Sequence, residues 1–224
     1  AEAQDILAGT FTTGVSHGAM FTLHYTATDI SSNTTTCTVT ITVNDDDPPS
    51  ITCPGNINKS TDAGQCSAVT AYTVTASDNC SYSSMLTNGF ASGSPFPKGA
   101  TVVEWKVTDG AGLNTTCSFT VNVTDGQNPS IACPADISRN TDFNECAALV
   151  LYSPPTFSDN CPGVTQMLIS GPASGASFPK GATVITWQAT DAAGNTAICN
   201  FTVTVSDNQP PSITCPPSIA KSTD

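Results

Sequence analysis

Apolar and polar side chains alternate along much of the chain with a period of two residues, which is typical of half-buried β-strands. The clearest case is the stretch 101–108, where Val103, Trp105 and Val107 share one face and alternate with residues on the other. No stretch shows the 3.6-residue apolar period of an amphipathic helix. The pattern therefore predicts an all-β chain of short strands.

The same text occurs three times, so the chain is an array of repeats. A turn, an alternating strand, an acidic joint and a new opening strand follow one another at 28–54, 108–134 and 190–216. Equivalent cysteines are 80 or 82 residues apart, which sets a repeat of about 80 residues. Many short strands with turn signals between them predict a β-sandwich in each repeat. The predicted boundaries are the back half of a truncated repeat at 1–47, whole repeats at 48–127 and 128–209, and the first strand of another repeat at 210–224.

Composition and charge narrow the setting. The net charge is −12 with only six basic residues, so nucleic acid is excluded as a partner because its phosphates would be repelled. Ten cysteines without a single CxxC pair indicate disulfides, and hence an oxidising, extracellular environment. No apolar run approaches the length of a membrane span.

Several motifs recur in order and carry a family resemblance. They are Asp-Asn-Cys at 78–80 and 159–161, Phe-Pro-Lys-Gly-Ala-Thr-Val at 96–102 and 178–184, and Pro-Ser-Ile-x-Cys-Pro at 49–54, 129–134 and 211–216. Over essentially its whole length the chain resembles the hyalin repeat (HYR) family, an immunoglobulin-like extracellular module. The resemblance implies tandem immunoglobulin-like repeats with a role in adhesion or cell-surface architecture, and no catalytic residues. The extra cysteines, Cys66 and Cys146, resemble those of bacterial members that form long runs in large secreted surface proteins.

Each whole repeat has four cysteines, which allow three pairings. The resemblance implies that the first and last cysteines pair, and strand alternation independently places Cys53 and Cys117 on inward faces. The predicted pairs are Cys53–Cys117, Cys133–Cys199, Cys66–Cys80 and Cys146–Cys161. The alternative of Cys53–Cys80 with Cys66–Cys117 stays open, because sequence does not fix connectivity. Cys37 and Cys215 lie in the partial repeats and have no predicted partner.

Asp and Asn side chains are expected to gather at the two joints. In a seven-stranded sandwich, the loops after the second and sixth strands lie at the end where the preceding repeat joins. Carboxylates from three segments repel each other unless a cation binds, and a set of oxygen ligands suits Ca²⁺. The predicted ligands are Asp45, Asp46, Asp47, Asp78, Asn79 and Asp109 at one joint, and Asp125, Asn128, Asp159, Asn160, Asp191 and Asn195 at the next. In the alternative interpretation these residues only form turns.

Catalysis finds no support in the sequence. His17 and His24 are the only histidines and neither recurs, while alternation assigns Trp105 and Trp187 to the core. The predicted function is a non-catalytic structural segment of a long extracellular filament or giant repeat adhesin, which projects a distal function from the cell surface. Its expected partners are neighbouring repeats and other copies in a filament bundle. The alternative is a carbohydrate- or protein-binding accessory module attached to a secreted enzyme.

Overall fold

The computed structural model describes residues 17–222, and every regular element in that range is a β-strand. The strands are β1 (Met20–Thr28), β2 (Thr34–Thr42), β3 (Ser50–Thr52), β4 (Ile57–Ser60), β5 (Ser67–Thr70), β6 (Thr75–Ser77), β7 (Tyr82–Asn88), β8 (Ser94–Pro97), β9 (Gly99–Asp109), β10 (Asn114–Thr124), β11 (Ser130–Ala132), β12 (Ile137–Asn140), β13 (Ala147–Leu149), β14 (Thr156–Ser158), β15 (Thr165–Ser170), β16 (Ser177–Pro179), β17 (Gly181–Thr190) and β18 (Thr196–Ser206).

The chain forms two compact units. Within the described range, the first contains residues 17–62 and 67–124, and the second contains residues 63–66 and 125–222. The short turn 63–66 thus belongs to the second unit, although its neighbours in sequence belong to the first. Strands β1 and β2 form an antiparallel hairpin in the first unit, as expected for the last two strands of a repeat.

A four-stranded sheet in the order β4-β10-β9-β7 forms one layer of the first repeat. Its strands are antiparallel, except that β4 runs parallel to β10. Two antiparallel pairs, β3–β6 and β5–β8, complete the repeat. Ala68 and Phe96 from the β5–β8 pair pack with Val103, Phe119 and Val121 of the large sheet, and all five are nearly or fully buried.

The second repeat has the same architecture. Its large sheet has the order β12-β18-β17-β15, again with one parallel pair, and its small pairs are β11–β14 and β13–β16. Phe178, Ile185, Phe201 and Val203 occupy the positions of the first core. The predicted all-β fold of tandem β-sandwich repeats is confirmed.

Two parts of the repeat differ from the predictions. The stretch from Cys66 to Val74 is predicted as one strand but contains only the short β5, and β6 begins after it, at Thr75. The chain changes partner here, because β5 pairs with β8 whereas β6 pairs with β3. No strand is predicted between Ser81 and Pro95, yet β7 lies there at the edge of the large sheet. Only Leu86 of β7 is half-buried, so the strand has no alternating apolar signal.

The stretch after β18 contains no strand within residues 207–222. Its counterparts, β3 and β11, are held by pairing with β6 and β14, which follow them by more than twenty residues. No such partner follows within 207–222, so the opening strand of another repeat stays a prediction.

Candidate cation sites and the cysteine framework

Three disulfides are present within the described residues. Cys53, just after β3, is bonded to Cys117 in β10, and Cys133 is bonded to Cys199 in the equivalent place. Both bonds are predicted from the sequence, and each joins the first and last cysteines of one repeat. Cys53 and Cys133 pack against the hydrophobic cores. Closing loops of 64 and 66 residues stabilises each repeat by about 4 kcal/mol in the chain-entropy model.

The predicted pairs Cys66–Cys80 and Cys146–Cys161 are wrong, and so is the alternative of Cys53–Cys80 with Cys66–Cys117. Cys66 is bonded to Cys161, 95 residues further along the chain. Cys80 and Cys146 have no disulfide partner among residues 17–222, and neither have Cys37 and Cys215.

The turn that carries Cys66 explains the unexpected bond. Gly64 has a φ of +72°, a conformation that glycine adopts without strain. Its N–H donates to Oε1 of Gln127 at 2.9 Å, and the side-chain amide of Asn160 donates to the carbonyl of Gln65 at 2.9 Å. These contacts hold the turn in the second unit, beside the loop of Cys161.

The first acidic cluster lies in the first unit. Ligand atoms of Asp45, Asp78 and Cys80 lie within 4.8 Å of one another. The nearby Asp109 is 7% exposed and Asp45 is 8% exposed. Within the described part of the chain, Oδ2 of Asp45 and Oδ2 of Asp109 are buried and have no hydrogen-bond partner. A buried carboxylate oxygen in that state is costly unless a cation or a donor meets it.

The thiol of Cys80 is embedded in this negative environment. A hydrogen bond to the side chain of Asp45 raises the pKa of Cys80 above that of an ordinary thiol, and burial adds to the effect. The negative charges of Asp45, Asp78 and Asp109 raise that pKa further. The thiol therefore stays protonated at neutral pH and can donate to Asp45.

The second acidic cluster lies in the second unit and contains only carboxylates. Ligand oxygens of Asp125, Asp159 and Asp191 lie within 4.8 Å of one another, and Asp191 is 5% exposed. Oδ1 of Asp159 and Oδ1 of Asn160 are buried without a hydrogen-bond partner among residues 17–222. The three acids come from the segment after β10, the loop after β14 and the turn after β17, as the topology argument predicts.

Asp191 of the second cluster is also a turn residue. Oδ1 of Asp191 accepts from the N–H of Ala193 and from that of Asn195, both at 2.8 Å. Burial by itself would raise the pKa of Asp191, but hydrogen bonds from Asn195, Ala193 and Gly194 outweigh it and lower this pKa below its usual value. The aspartate is thus a turn former that stays ionised within the cluster.

One substitution distinguishes the two sites. Oδ2 of Asp191 accepts from the side-chain amide of Asn195 at 2.8 Å. In the first repeat Asp109 forms the same turn with the N–H groups of Ala111 and Leu113. Leu113 stands where the second repeat has Asn195. Because Leu113 has no side-chain amide, Oδ2 of Asp109 lacks the hydrogen bond that Oδ2 of Asp191 accepts.

The remaining predicted ligands divide into two groups. Asn79 donates to Asp47 at 3.4 Å, and Asn160 donates to Asp125 at 3.4 Å, so both amides lie at the clusters. Asp46 and Asn128 are exposed in the joint segments. The carboxylate clusters found among the described residues do not include Asp46, and the role of both residues as ligands stays a prediction. One contact has no sequence signal, since the N–H of Asp45 donates to Nδ1 of His17 at 3.1 Å.

The donor set fits a hard divalent cation. Carboxylate oxygens with unsatisfied lone pairs converge from three chain segments, and amide oxygens lie beside them. Ca²⁺ takes six to eight oxygen ligands of this kind, including water. The thiol of Cys80 is a poor ligand for such an ion, so the carboxylates would hold the ion in the first unit.

Trp105 and Trp187, which the sequence assigns to the core, are half-buried and pack against the cores of their repeats.

Comparison with known proteins identifies the repeats. The family model described as HYR domain matches residues 44–123 and 124–205. Hyalin of Strongylocentrotus purpuratus is 34% identical over 207 residues, which is 88% of this chain and 17% of that protein. Hyalin of Lytechinus variegatus is 35% identical over 212 residues, which is 90% of this chain and 40% of that protein. A mouse protein named for its sushi, von Willebrand factor type A, EGF and pentraxin domains is 32% identical over 165 residues, 72% of this chain and 4% of its own length.

These relatives correct one expectation. They come from sea urchins and mouse, so the predicted bacterial origin is not supported. The chain spans 17% and 40% of the length of the two hyalins. No helix within residues 17–222 is long and apolar enough to cross a membrane.

Proposed function

Because the chain belongs to the HYR domain family, we propose that it is a non-catalytic spacer segment of a large extracellular adhesion protein. In this role the repeats hold a distal binding domain away from the surface to which the protein is attached. One observation carries the proposal: the two HYR domains follow each other without an intervening residue, at 44–123 and 124–205. Small disulfide-bonded domains that follow each other directly suit a spacer, because no free linker separates them.

The spacer role is tested by deletion in the full-length protein. Removing residues 44–205 should shorten the particle in electron micrographs and leave the affinity of its terminal domains for their ligands unchanged. Removing an equal length of repeats elsewhere in the array is the matched control and should shorten it equally. If the deletion abolishes ligand binding while the control does not, the repeats are a binding module and not a spacer.

The spacer is proposed to bind Ca²⁺ at both acidic clusters. The buried, unsatisfied oxygens of Asp45 and Asp109 in one unit and of Asp159 in the other support this proposal. Ca²⁺ sites of extracellular modules are weak, with dissociation constants of about 10⁻⁴–10⁻³ M. Calorimetric titration of the purified chain should therefore show Ca²⁺ uptake in that range. If the titration shows no heat of binding and the melting temperature is the same in millimolar Ca²⁺ and in chelator, the aspartates only form turns.

A second candidate function, saccharide binding, is favoured by a groove in the first unit. The groove has a volume of about 360 Å³, and its lining includes Tyr72, Tyr82 and Trp105 with the hydroxyls of Ser84 and Ser92. Aromatic faces beside hydroxyl groups are the usual surfaces for stacking a sugar ring and bonding its hydroxyls.

The two repeats differ in one ring at this place, which makes a sharp test available. The strand register places Val164 where Tyr82 stands, so the second unit lacks one of the three rings. A glycan array should show binding to the native chain that Tyr82→Val abolishes. If the native chain binds no glycan, or if Tyr82→Val binds as well as the native chain, the groove has no such role.

A further inference from the structure

The bond between Cys66 and Cys161 joins two kinds of segment that each repeat possesses. Cys66 ends the turn between β4 and β5, and Cys161 ends the Asp-Asn-Cys loop after β14. The first repeat therefore supplies the turn cysteine and the second supplies the loop cysteine. Each repeat also holds the other half of such a bond, as Cys80 in the loop of the first and Cys146 in the turn of the second.

The turn of Cys146 is built like the turn of Cys66, although only the latter is bonded. Oδ2 of Asp62 accepts from the N–H of Val69 at 2.7 Å, and Oδ2 of Asp142 accepts from the N–H of Leu149 at 2.8 Å. The N–H of each aspartate also donates across its turn at 2.8 Å. The geometry that presents the cysteine thus does not depend on the disulfide.

The middle of the two turns matches as well. Gly64 and Asn144 both have positive φ, +72° and +59°, which is uncommon for a residue other than glycine. Their N–H groups donate to Oε1 of Gln127 at 2.9 Å and of Gln209 at 3.3 Å. The second turn is therefore held by the segment that follows its own repeat, in the same way as the first.

The loop of Cys80 likewise reproduces the loop of Cys161. The N–H of Cys80 donates to Oδ2 of Asp78 at 3.0 Å, and the N–H of Cys161 donates to Oδ2 of Asp159 at 3.0 Å. Cys146 is exposed and Cys80 is half-exposed, so neither residue is enclosed in a core.

We propose that Cys80 and Cys146 form disulfides with adjoining HYR repeats, so that each repeat is covalently bonded to the next. Cys80 pairs with the turn cysteine of the preceding repeat, and Cys146 pairs with the Asp-Asn-Cys cysteine of the following repeat. Neither partner falls within the chain: the turn cysteine precedes the last-strand cysteine by 51 or 53 residues, which counted back from Cys37 passes residue 1. The loop cysteine follows the first cysteine by 27 or 28 residues, which from Cys215 passes residue 224.

The bond forms by thiol–disulfide exchange with a disulfide oxidant, such as oxidised glutathione or an oxidoreductase with an oxidised cysteine pair. The two protein thiols lose two protons and two electrons and form one S–S bond, while the oxidant is reduced to two thiols. The proposal rests on tandem repetition and is independent of the spacer role and of Ca²⁺ binding.

Disulfide mapping of the full-length protein tests the proposal. The protein is isolated without reductant, its free thiols are alkylated, and the linked peptides from a non-reducing digest are identified by mass spectrometry. The expected products link Cys80 to a turn cysteine and Cys146 to an Asp-Asn-Cys cysteine of adjoining repeats. Recovery of Cys80 or Cys146 in alkylated form in most molecules, or of a Cys66–Cys80 peptide, would overturn the proposal.

Two matched variants of the full-length protein separate bonds between repeats from bonds within a repeat. Cys146→Ser should release one alkylatable thiol that maps to the loop cysteine of the following repeat. Cys133→Ser, the control, should release a thiol at Cys199 of the same repeat. If Cys146→Ser releases no new thiol, Cys146 is not cross-linked. A free thiol that maps within residues 128–209 in this variant would also contradict the proposal.

Discussion

The two acidic clusters are copies of one loop arrangement that have reached different chemical states. In the second unit, Cys161 is bonded to Cys66, and the cluster consists of three carboxylates. In the first unit, Cys80 is a thiol that donates to Asp45 and takes part in the cluster. In both loops the cysteine N–H donates to an aspartate, but Asn195 donates to Oδ2 of Asp191 whereas Oδ2 of Asp109 has no such partner among the described residues. The two clusters thus differ in the bonding of the loop cysteine and in this one amide.

This contrast shows that the chemistry of a repeat depends on its neighbour in the array. The Asp-Asn-Cys loop of the second repeat is cross-linked through Cys161 to the turn cysteine Cys66. The same loop in the first repeat has no turn cysteine to bond within the described residues, and Cys80 stays a protonated thiol. A cation in the first cluster therefore competes with the thiol proton for Asp45, whereas no thiol competes in the second. Four predictions test how far the two repeats are equivalent.

The largest effect is expected where the repeats are most alike, in their cores. Phe96 and Phe178 are both 0% exposed, so Phe96→Ala and Phe178→Ala should each lower the free energy of unfolding of their own unit by about 3–5 kcal/mol. Trp105 and Trp187 allow the units to be followed separately by fluorescence, after replacing one of them with Phe. Losses that differ by more than 2 kcal/mol between the units would show that the two cores are not equivalent.

The second prediction concerns the turn cysteines. Cys66→Ser removes a bond that closes 95 residues and should cost about 2–5 kcal/mol in urea denaturation. Cys146→Ser in the same 224-residue chain is the control and should stay within about 0.5 kcal/mol of the native value, because its thiol is exposed. Equal effects of the two substitutions would mean that the turns differ in more than their bonding.

The third prediction compares two glycines of the second unit with nearly the same φ, +91° at Gly171 and +87° at Gly175. A Cβ at Gly171 would lie 2.5 Å from Cδ1 of Ile185 and 2.9 Å from the carbonyl oxygen of Val184, whereas at Gly175 its nearest neighbour is 3.6 Å away. Gly175→Ala should cost about 1 kcal/mol from backbone strain. Gly171→Ala should cost about 2–3 kcal/mol, because packed atoms must also move. If thermal melts show equal losses of stability for the two variants, the atoms of Val184 and Ile185 move aside at no cost.

The smallest effect is expected from the cation sites. Millimolar Ca²⁺ should raise the stability of each unit by about 1–2 kcal/mol, given dissociation constants of about 10⁻⁴–10⁻³ M. Asp78→Asn should abolish this gain in the first unit only, and Asp159→Asn in the second only. Both variants keep an oxygen for the neighbouring cysteine N–H.

Asp136→Asn is the matched control for the cation variants. Oδ1 of Asp136 accepts from the N–H of Thr202 at 2.7 Å, and this side chain lies outside both clusters. Its replacement should leave the Ca²⁺ response of both units intact. Loss of the response in this variant as well would mean that net charge, and not a site, governs the effect.

The sequence predicts best those elements whose side chains are buried on one face. Strands β9 and β10 alternate strongly because Val103, Val107, Phe119 and Val121 enter a packed core, and the sandwich fold follows from this pattern. The edge strand β7 is mostly exposed and has almost no apolar pattern, although its backbone pairs with β9 along its length except for one irregularity between Leu86 and Asn88.

The candidate sites divide in a similar way. Topology alone brings Asp125, Asp159 and Asp191 together, since strand direction decides at which end a loop lies. The partner of Cys66 does not follow from such reasoning, because four cysteines in one repeat suggest that pairing is complete within the repeat. The hydrogen bonds that hold the turn of Cys66 in the second unit involve Gln127 and Asn160. Asn160 lies in the recurring Asp-Asn-Cys motif, but the motif does not indicate which turn its side chain contacts.

The bonds Cys53–Cys117 and Cys133–Cys199 also determine how the chain responds to pulling. Tension that reaches Cys53 along the backbone crosses directly to Cys117, so the 64 residues between them carry no load and cannot be drawn out. At about 3.4 Å per extended residue, each repeat thus stores roughly 220 Å of hidden contour length. In an oxidising medium the disulfides keep the chain short under load. In a reducing medium each repeat that unfolds releases its hidden contour length.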